Sequence, residues 1–190
     1  MTKNARAKVA HVCTIDMSLR YLLFAQLKHL QAADYNVVAV SNPGPDVAFL
    51  EENGIRHIAV KMTRTLSPAR DAEALLDLRR VFQREKFDIV HTHNPKPGLL
   101  GQLAARLAGV PVVVNTLHGF YFHDHMRPLL RRFYVMMEQV AAANSDVILS
   151  QNPEDIQTAI AEHIAPAKKL ELLGNGINLQ RFSRSAVDDA

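Results

Sequence analysis

Three polar segments hold the residues whose types and spacing suit chemistry: Thr14–Arg20 (TIDMSLR), His91–Gly98 (HTHNPKPG) and Asn115–Asp124 (NTLHGFYFHD). The second and third, with the adjoining His125, carry five of the nine histidines: His91, His93, His118, His123 and His125. Imidazole titrates near neutral pH and can donate, accept or ligate, so such a concentration points to a site. One chemistry it suggests is metal binding. His91 and His93 alternate along a run that reads as a strand, which puts both rings on one face, and His118, His123, Asp124 or His125 would complete a ligand set for a hydrolase. Against that reading, the pair runs into Pro95-Lys96-Pro97-Gly98 with no acidic ligand beside it.

Those segments need a scaffold, and the rest of the sequence supplies one. Short runs rich in Val and Ile alternate with longer stretches of helical periodicity, the pattern of βα units on a parallel sheet. Strands are expected at Lys8–Thr14, Asn36–Ser41, Ile55–Val60, Phe87–Thr92, Val110–Thr116, Asp146–Ser150 and Lys169–Leu172. Helices are expected after Ser18 as N-cap, at Asp46–Glu52, from Pro68 to about Lys86, and at Pro97–Leu107, Met126–Ala143 and Pro153–His163, the last capped by Asn152. The fold class is therefore α/β, a doubly wound, mostly parallel Rossmann-like sheet with helices on both faces. In such a sheet ligands bind beyond the carboxyl ends of the strands, which is where the three polar segments fall.

Composition narrows the function classes. A chain of 190 residues, 48% of them hydrophobic, buries a core without disulfides, and its single cysteine, Cys13, reads as a small buried apolar residue. A net charge of +3 from 22 basic and 19 acidic residues gives no electrostatic footprint for nucleic acid. The polar, basic stretch Met1–Lys8 leads into only a short apolar run, so a cytoplasmic location is expected. The nearest approach to a dinucleotide fingerprint is Gly174 and Gly176 with Leu179 in the third glycine position, and no GxxxxGK[ST] is present. An NAD enzyme and a P-loop NTPase are both disfavoured.

Four segments carry a resemblance to a known family: KVAHVCTIDMSLRYLL at the start, the Asp88–Gly119 block DIVHTHNPKPGLLGQLAARLAGVPVVVNTLHG, SDVILSQNP at Ser145–Pro153, and LLGNGINLQRF at Leu172–Phe182. Together they resemble the retaining glycosyltransferases of family 4, with the two-domain GT-B fold, that build surface polysaccharides on lipid-linked acceptors. The resemblance implies an acceptor-side N-terminal domain over residues 1–182, the start of an interdomain linker or tail at 183–190, and a donor domain beyond. A nucleotide sugar would bind mostly to that second domain, no metal or other cofactor would be needed, and the chain alone would be inactive. His118, at a strand end and followed by Gly119, is the expected residue at the transfer centre. Acceptor contacts are expected from His91, His93, Asn94, Lys96, Asp16, Ser18 and Gly119, a donor-phosphate contact from Arg20, and the interdomain edge at Asn175 and Gly176. A non-catalytic sugar- or partner-binding module of the same fold is the alternative.

A lipid-linked acceptor also implies reaching a bilayer. Phe120–Val140 mixes aromatic and aliphatic residues with Arg127, Arg131 and Arg132, as an interfacial element does. Its apolar residues nearly encircle the expected helix, however, which favours a core-packed helix with a basic edge. The membrane partnership expected is thus a weak contact with an anionic surface, peripheral on the inner face of the plasma membrane.

Overall fold

In the computed structural model, which describes residues 6–93, 95–174 and 176, each β-branched run becomes a strand. The order of elements is β1 (Lys8–Ile15), α1 (Asp16–Ser18), a π turn (Leu19–Leu23), α2 (Phe24–Ala32), β2 (Asn36–Asn42), α3 (Val47–Glu52) and β3 (Arg56–Ala59). It continues with α4 (Pro68–Glu85), β4 (Ile89–His93), α5 (Pro95–Ala108), β5 (Val112–Leu117), α6 (Pro128–Ala143), β6 (Val147–Ser150), α7 (Pro153–Ala161), a 3-10 turn (Ala167–Lys169) and β7 (Leu170–Leu172). The strands form one sheet in the order β3-β2-β1-β4-β5-β6-β7, with every pairing parallel. The doubly wound α/β class expected from the sequence is the class observed. The strand order reverses between β1 and β4, and that switch point opens a crevice at the carboxyl ends of the strands.

The pleat sorts side chains into two cores. Ala10, Val12, Val38, Val40, Val90 and Val113 face one side and meet Ala74, Leu78 and Phe82 of α4 and Leu100 and Ala104 of α5. Residues of opposite parity, among them Cys13, Val37 and Ala39, face the other side and meet Leu19, Leu23, Leu27 and Leu50. Burying a Leu or Phe in this way contributes about 1.5–3 kcal/mol each, which holds the layers together. Cys13 is fully buried, and burial pushes its thiol pKa up, so it packs as an inert apolar residue. A third cluster joins Leu117, Ile148 and Leu170 to Val135, Ala142 and Ala159 at the β6–β7 end.

Several connections follow local chemistry as the sequence indicated. Asn152 caps α7 by accepting the backbone N–H of Asp155 at 2.7 Å, the role its short polar side chain favours. Lys86 ends α4 in the left-handed region at φ 52°, a common way to close a helix. The expectation for Ser18 is corrected. Helical backbone begins at Asp16 directly from β1, so Ser18 lies inside the helical run and makes no capping bond. The π turn that follows adds a residue to one turn, and Leu22 is left outward while Leu19, Leu23 and Leu27 are buried. α5 likewise starts ahead of the expected Pro97, at Pro95. No helix among the described residues is long and apolar enough to cross a membrane. The expected linker at 183–190 lies outside the described residues.

Candidate functional site

Register brings the histidines together. β1 pairs with β4 so that His11 lies beside His91, and β4 pairs with β5 so that His93 lies beside Thr116. Side chains two apart share a face, so His11, His91, His93 and Thr116 converge on one side of the sheet. His91 Nε2 and Thr116 Oγ1 are 2.7 Å apart, His11 Nδ1 and His93 Nε2 3.0 Å, and His93 Nδ1 and His118 Nε2 3.3 Å. His118 Nδ1 in turn lies 3.0 Å from Gln151 Oε1, just past β6. His11, His91 and His93 are buried and His118 is half-buried. Burial lowers all four imidazole pKa values, that of His11 to about 4, so the rings are neutral near pH 7.

The metal reading changes shape here. His11 rather than His123, Asp124 or His125 joins His91 and His93, and nitrogens of these three lie within 4.8 Å of one another. His123, Asp124 and His125 are exposed in the β5–α6 connection. Neutral imidazoles at this spacing suit a first-row divalent ion in donor type. Their nitrogens are largely engaged already, however: His91 Nε2 with Thr116 and both His93 nitrogens with His11 and His118.

A cavity of about 680 Å³ also opens at the carboxyl edge. β1 contributes Thr14 and Ile15, and Ser18 follows; Arg64, Thr65 and Leu66 come from the β3–α4 connection, and Pro95, Lys96 and Leu99 from α5. Tyr121, Tyr134, Met137 and Glu138 close the other wall. Lys96 is held in place by Asp71 at 2.5 Å, Thr63 Oγ1 at 2.9 Å and the Thr65 carbonyl at 2.7 Å. Glu138 has no hydrogen-bond or ion-pair partner among the described residues, and burial raises its carboxyl pKa to about 7, because a desolvated carboxylate resists ionisation. Glu138 and His11 are the residues that the sequence reading missed. Their spacing gave no signal, because one belongs to a helix whose orientation is set by packing and the other to a strand whose neighbour comes from a distant part of the chain.

Of the remaining expected residues, Ser18 and Lys96 line the cavity, whereas Asp16 and Arg20 are engaged elsewhere. Asp16 is buried, accepts the Asp46 backbone N–H at 2.8 Å, and packs so tightly on Gly44 that a Cβ there would lie 2.5 Å from its carboxylate. Arg20 donates to Asp46 at 2.7 Å and stacks over the Phe49 ring at 4.2 Å. Both therefore brace the β2–α3 connection. Gly119 adopts φ +101°, a conformation that disfavours side chains, and directs the chain away from β5 after His118. Gly176 is exposed. Asn94 and Asn175 lie outside the described residues.

Residues 23–176 match the family described as the glycosyl transferase 4-like domain. The chain belongs to this family. Among curated relatives, an Escherichia coli UDP-Gal:α-D-GlcNAc-diphosphoundecaprenol α-1,3-galactosyltransferase is 30% identical over 183 residues, covering 95% of this chain and 47% of the relative. The Staphylococcus aureus capsular polysaccharide biosynthesis glycosyltransferase CapM is 26% identical, with 92% and 46% covered. A glycosyltransferase from Rickettsia africae superposes with a TM-score of 0.71 at 16% identity, covering 95% of this chain and 46% of that one, and so shares the fold. The glycosyl transferase 4-like chain spans about half the length of the curated relatives it matches. For such a domain the crevice at the switch point is the place to expect substrate, and the histidines and the cavity both lie there.

Proposed function

We propose that this glycosyl transferase 4-like domain is the acceptor-side half of a retaining enzyme that moves a hexosyl or N-acetylhexosaminyl unit from a nucleotide sugar to a lipid-linked glycan. The carrying observation is the cavity at the carboxyl edge of the sheet, whose lining comes from β1, the β3–α4 connection, α5, Tyr121 and α6. Its Ile15, Leu66, Leu99, Tyr121, Tyr134 and Met137 walls suit the apolar and ring faces of an amphipathic acceptor, and Arg64, exposed on its lining, suits a phosphate. The E. coli relative's name specifies an acceptor of that chemistry. With the donor held by a second domain, transfer brings the leaving diphosphate and the acceptor hydroxyl to one face of the sugar, with orientation and electrostatics providing the acceleration. No resident metal is required by this scheme.

The test uses the chain joined to a donor-side domain and a labelled nucleotide sugar, with and without chelator. His118→Ala lowers turnover by about 10²-fold or more while the fold is retained, as expected for a positioned polar group at a reacting centre. An unchanged rate excludes His118 from the transfer centre. The chain alone transfers no sugar and binds UDP or GDP only weakly; robust transfer or low-micromolar affinity contradicts the division of labour.

A specific observation favours peripheral membrane contact as well. α6 leaves Leu129, Phe133, Met136 and Val140 outward at helical spacing, with Leu129 84% exposed, so the expected core-packed cylinder has one unburied stripe. Arg127 and Arg132 flank it in solvent. Arg131 does not, being paired with Glu162 at 2.7 Å. This arrangement supports a location on the cytoplasmic membrane surface, with apolar insertion contributing more than charge.

A further inference from the structure

The hydrogen bonds from His11 through His93 and His118 to Gln151 have a direction. Gln151 presents Oε1, which only accepts, so His118 donates from Nδ1 and keeps a lone pair on Nε2. A neutral imidazole carries one N–H. His93 must therefore donate from Nδ1 to His118 and accept at Nε2 from His11 Nδ1–H. The chain then ends at His11 Nε2, which is buried and has no hydrogen-bond partner among the described residues. An apolar residue at position 11 would avoid that unpaired nitrogen, and the neighbours Ala10, Val12 and Cys13 show that β1 otherwise favours apolar burial. The polar chain is thus kept against the packing preference of its strand.

We propose that His93, and His11 behind it, are positioning residues that fix His118 as the Nδ1–H tautomer, so that its Nε2 lone pair, held by His93 Nδ1–H, is kept as an acceptor that a substrate hydroxyl takes over. The proposal rests on the reading of His118 as the residue at the transfer centre. His93 to His118, at 3.3 Å, is the longest link in the chain, against 3.0 Å on either side. Being the longest, it is the one an incoming hydroxyl replaces most easily. Burial keeps all the rings uncharged, so the polarity of the chain is set by tautomer and not by protonation. His91 supports the ring of His93 at 4.2 Å between centroids and is itself held by Thr116. Gln151 sets the polarity, because turning its amide over would offer N–H to His118 Nδ1 and reverse every donor in the chain.

The test is long-range 1H–15N correlation of the histidine rings in the 15N-labelled chain near pH 8, where all are neutral. His118 and His93 are both expected as Nδ1–H. Gln151 is half-buried at the sheet edge, so its variants leave the core intact. Gln151→Glu, an acceptor only, retains the Nδ1–H form of His118; Gln151→Leu and His93→Phe shift it toward Nε2–H; His93→Gln, whose amide restores a donor, shifts it back. An Nε2–H His118 in the wild type, or a tautomer indifferent to all four substitutions, overturns the proposal. So does uptake of one equivalent of Zn²⁺ or Co²⁺ by His11, His91 and His93 at micromolar metal, since ligation would replace the chain. These readouts need no transfer activity, so they fail independently of the glycosyltransferase reading, which the His118→Ala rate decides.

Discussion

Glu138 offers a perturbation whose size follows from the structure. Its carboxyl sits on the cavity wall with no hydrogen-bond or ion-pair partner among the described residues, and burial raises its pKa from 4.5 to about 7. Each pKa unit corresponds to about 1.36 kcal/mol, so ionising Glu138 in the folded chain costs roughly 3 kcal/mol. The folded-state pKa is raised, so the associated stability is fully present below about 4.5 and is lost as pH rises through about 7. Glu138→Gln keeps the shape and removes the charge. Urea unfolding of both proteins from acid to mildly alkaline pH should give curves that coincide at the acid end. The variant should then be the more stable by an amount that grows with pH and levels off at ~3 kcal/mol. In thermal scans above pH 8 that is a rise in Tm of roughly 6–12 °C for a domain of this size. A residue that weakens the fold at neutral pH while lining a cavity is one expected to serve a ligand. A pH-independent difference, or a variant less stable at pH 8, refutes the reasoning.

Three further outcomes are expected. Gly101→Ala places a Cβ 2.8 Å from Cγ2 of Thr92, a fully buried side chain bonded to Asn115. It should cost about 1–2 kcal/mol in urea unfolding after the gain in helix propensity is deducted, and unchanged stability would show that α5 shifts away from β4. Asn152→Ala removes the α7 cap and should cost about 1 kcal/mol, read from the same unfolding curves. Changing Leu129, Phe133 and Met136, all outward on α6, together to Ser should abolish sedimentation with anionic vesicles even at low salt, whereas Arg127→Gln with Arg132→Gln should only reduce it; the reverse ranking excludes the apolar stripe as the anchor.

Much of the fold was legible because parallel strands buried on both faces read as continuous Val/Ile runs, as at Val37–Val40 and Val112–Val114, and because each lies between helical stretches. Asn152 marks a helix start through local chemistry alone. What local pattern does not encode is which strands become neighbours. His11 reads as part of an ordinary strand, because only the β1–β4 pairing, between segments far apart in sequence, sets it against His91 and His93. The π turn escapes for a related reason: Leu19, Leu22, Leu23 and Leu27 satisfy α-helical spacing, and tertiary packing selects which of them turn inward. Asp16 and Arg20 fall in the segment that follows β1, where a binding residue would. Their use in bracing Gly44 and Asp46 depends on where the β2–α3 connection passes.

The central claim, an acceptor-side domain working at the carboxyl edge of the sheet, is tested most directly by titrating the 15N-labelled chain with a short-chain prenyl diphosphoryl N-acetylglucosamine. Saturable shifts are expected at Ser18, Lys96, Tyr121, Glu138 and His118, with little response to UDP alone. Shifts confined to other surfaces, or tight UDP binding with no response to the acceptor analogue, would contradict it.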